Sequence, residues 1–155
     1  MERIESFKVD HRYITPGVYL SRKDGPVKTL DLRFKKPNGG EYLSNLEMHS
    51  LEHLFATYVR NFAPENVLYF GPMGCRTGFY LLVQGLTDGE IRDLIKKTLE
   101  KIVYEADEMF GNDEIQCGNY RELSLEAGKS CARAYLAQLN FEKMDFRYPE
   151  KEEER

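Results

Sequence analysis

Three neighbouring side chains, His49, Glu52 and His53, carry the clearest chemistry in the chain. Residues four apart on an α-helix project from one face, one turn above the other, so the two imidazoles would stand together with the carboxylate on the same side. Two nitrogen ligands and a base able to move protons are what a catalytic divalent metal requires. The motif reads H-x-x-E-H, the reverse of the thermolysin order and the one used by inverzincin peptidases. The competing reading is a solvated helix face with incidental histidines. Only three histidines occur among 155 residues, and two of them at ligand spacing around a glutamate weigh toward the metal.

Two histidines do not complete such a site, because catalytic centres usually have three protein ligands and one open position. The candidates for the third are Cys75, Cys117, His11 or a carboxylate, and spacing does not choose among them. A cysteine there would give a His₂Cys set, suited to Zn²⁺, Co²⁺ or Fe²⁺ rather than to Mg²⁺ or Ca²⁺. Whichever of Cys75 and Cys117 is not a ligand becomes an acid/base or nucleophile candidate. Cys75 sits in Gly71-Pro72-Met73-Gly74-Cys75-Arg76-Thr77-Gly78, a glycine-flanked bend where a ligand can approach the backbone. Arg76 beside it favours a reactive thiol if its side chain turns that way; a buried, inert cysteine is the alternative. Cys131 falls in an apolar helical stripe and reads as core.

The elements that must position these groups follow from periodicity. Ser44 with Glu47 is a capping box opening a helix from about Leu46 to Phe62. Its apolar stripe is Leu51, Leu54, Phe55, Tyr58, Val59 and Phe62, with His49, Glu52 and His53 nearly opposite. Val18 to Lys23 and Val27 to Lys35 read as a hairpin around Asp24-Gly25-Pro26. In its second strand Leu30, Leu32 and Phe34 face one way and Thr29, Asp31 and Arg33 the other. Arg33 could bind an anion or a hydroxyl-rich ligand, although a solvated or salt-bridged strand residue is the plainer expectation. Asn66 to Phe70 and a fully apolar Phe79 to Val83 are two further strands, the latter central. Thr87 with Glu90 caps a helix from about Asp88 to Ala106. A loop spans about Phe110 to Asn119, and a last helix about Leu123 to Leu139. Residues 1–16 show little periodicity, and 149–155 read as a frayed charged tail.

Composition bounds the rest. At 41% hydrophobic and 31% charged, the chain fits one globular domain, 1–155, with enough apolar side chains for a core without staples. A formal charge of −4 with no basic stripe argues against nucleic acid. No leader or long apolar run suggests secretion or a membrane. The odd count of three cysteines, far apart, fits a reducing cytoplasm.

Taken together, the motifs resemble the S-ribosylhomocysteine lyase, or LuxS, family. The resemblance rests on Glu5-Ser6-Phe7, Asp10-His11, Asp31-Leu32-Arg33-Phe34 and the H-x-x-E-H helix. It continues through Gly71 to Tyr80 and Gln116-Cys117-Gly118, so it spans about residues 4 to 136. The Pro-Met-Gly-Cys-x-Thr-Gly-Phe-Tyr string is far more specific than the histidine motif. The resemblance implies an α/β fold of the α+β type, a two-layer sandwich with a mainly antiparallel sheet packed by helices. It implies His49, His53 and Cys117 as ligands of one Fe²⁺ per subunit, with Zn²⁺ or Co²⁺ able to substitute. Glu52 and Cys75 would be the acid/base pair, and Ser6, His11 and Arg33 would contact substrate in a homodimer with its sites at the subunit interface.

The implied reaction cleaves S-ribosylhomocysteine to homocysteine and 4,5-dihydroxy-2,3-pentanedione, the autoinducer-2 precursor, by two carbonyl migrations and a β-elimination. One stretch departs from the family pattern, acidic-Ile-Ser-Pro-Met-Gly-Cys: here it is Tyr69-Phe70-Gly71-Pro72-Met73-Gly74-Cys75. Tyr69 cannot pair with the substrate ammonium, so Glu65 or Glu41 takes over or that end is held differently. Two other readings compete. An inverzincin-type zinc metallopeptidase would use Glu52 to activate water but gives Cys75 no task. A non-catalytic descendant would keep the fold to bind, with Tyr69 as its mark.

Overall fold

The computed structural model describes residues 1–150. Its sheet grows from the first hairpin: β1 (Gly17–Asp24) turns at Gly25-Pro26 and returns as β2 (Val27–Arg33), with Asp24 opposite Val27. A second hairpin pairs β3 (Val67–Pro72) with β4 (Gly78–Gln84), and β4 lies antiparallel to β2 with Arg33 opposite Gly78. The order is β1-β2-β4-β3, antiparallel throughout. The apolar strand read as central therefore is central.

Period-two alternation divides the sheet into two faces. Leu30, Leu32 and Phe34 join Phe70, Phe79, Leu81 and Val83 on the inner face, all essentially buried. Three helices cover it: α2 (Asn45–Phe62), α3 (Asp88–Glu105) and α4 (Leu125–Gln138). The capping boxes expected at Ser44/Glu47 and Thr87/Glu90 are both formed. Each satisfies two amide N–H groups that the first turn leaves unpaired. The result is the expected α+β two-layer arrangement, a mainly antiparallel sheet packed by helices. A short helix, α1 (Glu5–Lys8), occupies the N-terminal stretch that shows no periodicity, and no residue of it is buried.

The outer face is covered around Asp31 and Arg33. Asp31 and Arg33 are 1% and 2% exposed, because the C-terminal segment lies across them. The amide of Leu20 donates to the Phe146 carbonyl at 2.8 Å, Tyr148 stacks on Tyr19, and the Tyr148 hydroxyl donates to Asp31 at 2.7 Å. Of the two expectations for Arg33, salt-bridged holds and solvated does not. β2 stops at Arg33 rather than Lys35 because the amides of Phe34 and Lys35 both turn to the Thr77 carbonyl, at 2.8 and 3.0 Å. Of the tail read as frayed, residues 151–155 lie outside the described residues.

Candidate metal centre

Helix α2 presents His49 and His53 one turn apart, their rings 4.6 Å between centroids and perpendicular. The buried side of the same helix, Leu51, Leu54, Phe55 and Val59, is fully enclosed. That packing fixes the helix rotation and so the direction in which the histidines point. Both imidazoles are half-buried rather than in open water, since the 106–124 segment passes over them. His49 donates from Nδ1 to the Glu122 carbonyl at 2.9 Å, and His53 from Nδ1 to the Phe110 carbonyl at 2.7 Å. A carbonyl only accepts, so each ring carries its proton on Nδ1 and leaves Nε2 as a lone-pair donor. Outer bonds of this kind hold metal-binding histidines in one tautomer and orientation.

Cys117 completes the set. Its Sγ stands 3.3 Å from Nε2 of His49, and ligand atoms of His49, His53 and Cys117 all lie within 4.8 Å of one another. A tetrahedral ion with Zn–N and Zn–S bonds of about 2.0–2.3 Å would put such atoms about 3.6 Å apart, so the donor set and spacing fit one ion with a position to spare. The loop holding Cys117 is organised by Asp113, whose carboxylate accepts from the amides of Ile115 and Gln116 and from the Gln116 side chain. Those bonds, the Gln116 side chain foremost, hold the Asp113 carboxyl below its ordinary range. The Asn119 amide then points at Cys117 Sγ at 3.4 Å. Of the candidates that spacing leaves open, geometry places Cys117 beside the two histidines. Glu52 lies half-buried between the two histidines on α2.

Cys75 is on a different element, the exposed turn between β3 and β4. That turn is pinned to the entry of α2 by the Leu43 amide donating to the Arg76 carbonyl at 2.9 Å. Arg76 does not serve the thiol as its neighbour in sequence: its guanidinium lies over the Tyr42 ring, 5.6 Å from the centroid. The cation linked to Cys75 is Arg33: Nη1 of Arg33 and Sγ of Cys75 each lie 3.0 Å from Oγ1 of Thr77. Burial alone would push the Arg33 guanidinium down, but the paired bonds to Asp31 at 3.0 and 2.6 Å, with the surrounding negative groups, hold it above its ordinary value. Ser6 of α1 stands near Tyr80 of β4. Burial, then the Asp31 charge, pushes Tyr80 up, so it stays neutral. His11 is half-buried with Nδ1 2.9 Å from its own neighbour's Val9 carbonyl, and it joins none of these groups.

Tyr69 is half-exposed on β3 and its ring folds back over Gly71, where a Cβ would clash with the phenol. The family pattern has serine at 71. The two departures are therefore one: glycine at 71 makes the space that tyrosine at 69 fills. Ser50, inside the histidine motif yet fully buried, also has a structural task, accepting from the Ser124 amide at the start of α4 at 2.9 Å.

The S-Ribosylhomocysteinase (LuxS) family model matches residues 4–145. Over 156 residues the chain is 43% identical to an S-ribosylhomocysteine lyase of Finegoldia magna, covering 97% of this chain and all of that one. It is 39% identical to the S-ribosylhomocysteine lyase of Clostridium acetobutylicum and 38% to that of Borreliella burgdorferi. Those matches take in 97% and 96% of this chain and the whole of each relative. With a family model matched over residues 4–145 and relatives matched over nearly the whole chain, the chain belongs to the S-ribosylhomocysteinase (LuxS) family.

Proposed function

We propose that the chain is a metal-dependent lyase that cleaves S-ribosylhomocysteine to homocysteine and 4,5-dihydroxy-2,3-pentanedione, with Glu52 and Cys75 as its acid/base groups. The observation that carries the reading is the His49–His53–Cys117 cluster, in which both imidazoles are locked with Nε2 free.

Breaking the thioether at C5 of the sugar by β-elimination needs a carbonyl at C3, whereas the open-chain sugar carries it at C1. Two migrations, C1 to C2 and C2 to C3, supply it without any external oxidant, because each carbon reduced is matched by a neighbour oxidised. Bound at the trio, a divalent ion supplies Lewis acidity toward sugar oxygens as negative charge develops on them. Each migration removes a proton from one carbon and returns one to the next, and elimination removes the C4 proton as the homocysteine sulfur leaves C5. Those transfers require two groups able to give and take protons. Cys75 and Glu52, on separate elements, suit a shuttle that works from two sides. Ser6, His11 and Arg33 are assigned to substrate contact, Arg33 from its fixed place on the Asp31 carboxylate.

Fe²⁺ is the proposed native ion, with Zn²⁺ or Co²⁺ able to substitute, and the whole of 1–155 is read as one catalytic domain in a cytoplasmic homodimer with its sites at the subunit interface. No helix among the described residues is long and apolar enough to cross a membrane. Sedimentation at single-chain mass would exclude the dimer. The peptidase alternative leaves Cys75 and the groups behind it without a role. A paired experiment tests the assignment. Cys117→Ala should lose bound metal and turnover together, while Cys75→Ala should keep its metal and lose turnover by several hundredfold or more, about 10²–10⁴ for an acid/base group. Full turnover in Cys75→Ala would overturn the acid/base role.

A further inference from the structure

Behind Cys75 the structure holds a chain of hydrogen bonds running to Thr77, Arg33, Asp31 and Tyr148. Thr77 is 2% exposed, and its Oγ1 lies 3.0 Å from Nη1 of Arg33 and 3.0 Å from Sγ of Cys75. A guanidinium N–H donates and cannot accept, so the Arg33 bond uses a lone pair of the threonine oxygen. One hydrogen and a second lone pair remain, so toward the sulfur the hydroxyl can donate to a thiolate or accept from a thiol. Thr77 itself cannot drift, because its carbonyl takes the amides of both Phe34 and Lys35. Arg33 is held in turn by Asp31 through Nε and Nη2, and Asp31 by the hydroxyl of Tyr148. Tyr148 lies beyond residue 145, where the family match ends.

We propose that Thr77 is a positioning residue for Cys75: its hydroxyl, polarised by Arg33, donates to the Cys75 sulfur and stabilises it as a thiolate. The inference rests on the reading of Cys75 as an acid/base group. A hydroxyl suits a sulfur that must both give and take a proton. It donates to the thiolate, and its second lone pair accepts from the thiol once the proton returns, so one geometry serves both states. Arg33 could not do this alone, having no lone pair to offer a thiol. The other titratable or charged groups near the sulfur are Tyr80 from β4, kept neutral by burial, and Arg33 from β2, its charge already shared with Asp31. Arg76 on the turn itself faces Tyr42.

The test needs no substrate, so it stands or falls separately from the lyase activity. Metal-loaded parent, Thr77→Val and Thr77→Ser are treated with iodoacetamide across a pH series, and labelling of the Cys75 peptide is followed by mass spectrometry. Thr77→Val keeps the shape and removes the hydroxyl. Its half-maximal labelling should move about one pH unit upward, which is roughly tenfold slower labelling at neutral pH. Thr77→Ser should label as the parent does. Thr77→Ala removes the same hydroxyl without a methyl to clash, and is read in the same way should the valine variant not fold. A hydroxyl-free variant with the parent's profile would overturn the proposal. So would an equal upward shift in Thr77→Ser, since that would trace the effect to packing.

Discussion

At Gly111 the backbone is left-handed, φ 64°, and a Cβ built there would stand 3.2 Å from Nδ1 of His53. That nitrogen is the one bonded to the Phe110 carbonyl, so the glycine guards the bond that aims the His53 imidazole. Gly111→Ala meets two penalties: a dihedral that L-residues rarely adopt and pressure on an oriented imidazole. We expect metal affinity to fall by about 10–100-fold, the usual cost of disturbing an outer-shell partner, with the fold retained. Competition with a chromophoric chelator reads this directly; unchanged affinity would mean the His53 ring is held by something other than its carbonyl. Cys131 lies at the opposite extreme, 4% exposed in the core, where burial pushes its thiol up to about 12. It has the inert character its apolar stripe predicts.

Elements explain what the sequence made readable. The histidine helix was legible at both ends, since Ser44 and Glu47 cap the first turn and the Leu51/Leu54/Phe55/Val59 side is a clean helical stripe. β2 was legible by alternation, β4 by its unbroken apolar run between turn signals, and Cys75's placement at a bend by its glycines. What escaped were partners without a pattern. The Phe110 and Glu122 carbonyls are backbone atoms, which no residue type marks. Thr77 is visible only as one letter of a motif, and Tyr148 reaches Asp31 across 117 positions of chain. The Tyr69–Gly71 pair was half-legible: the tyrosine stands out against the family pattern, but its dependence on the glycine is a matter of side-chain direction on β3. Gly71→Ser should drive the Tyr69 ring from its place, lowering the thermal midpoint and raising KM. The same change in a Tyr69→Asp background should be close to neutral. A coupling of about 1 kcal/mol in that cycle is expected for residues in contact; additive effects would show that the two departures are independent.

For the molecule as a whole, one core and one covered outer face make stability depend on buried neutral acids. Cys131 ionises near 9.0 ordinarily and near about 12 when folded, so its contribution is complete below 9 and lost as pH rises toward 12. Tyr135 and Tyr148, both pushed up first by burial and then by the Asp31 charge, act in the same direction. Denaturant midpoints should therefore fall steadily above pH 9, and Cys131→Ala should flatten the first part of that decline at a neutral-pH cost of about 1 kcal/mol. A variant as base-sensitive as the parent would place the titrating groups elsewhere.

The same outer face that carries Asp31 and Arg33 leads to Cys75, so fold and chemistry share one set of buried bonds. Free-thiol release from S-ribosylhomocysteine by protein purified without oxygen reads the proposed reaction itself. The parent, shown by elemental analysis to carry metal, should release one homocysteine thiol for each dicarbonyl product, and Cys75→Ala should release none above background. Metal-loaded parent that binds the substrate and releases no thiol would contradict the account.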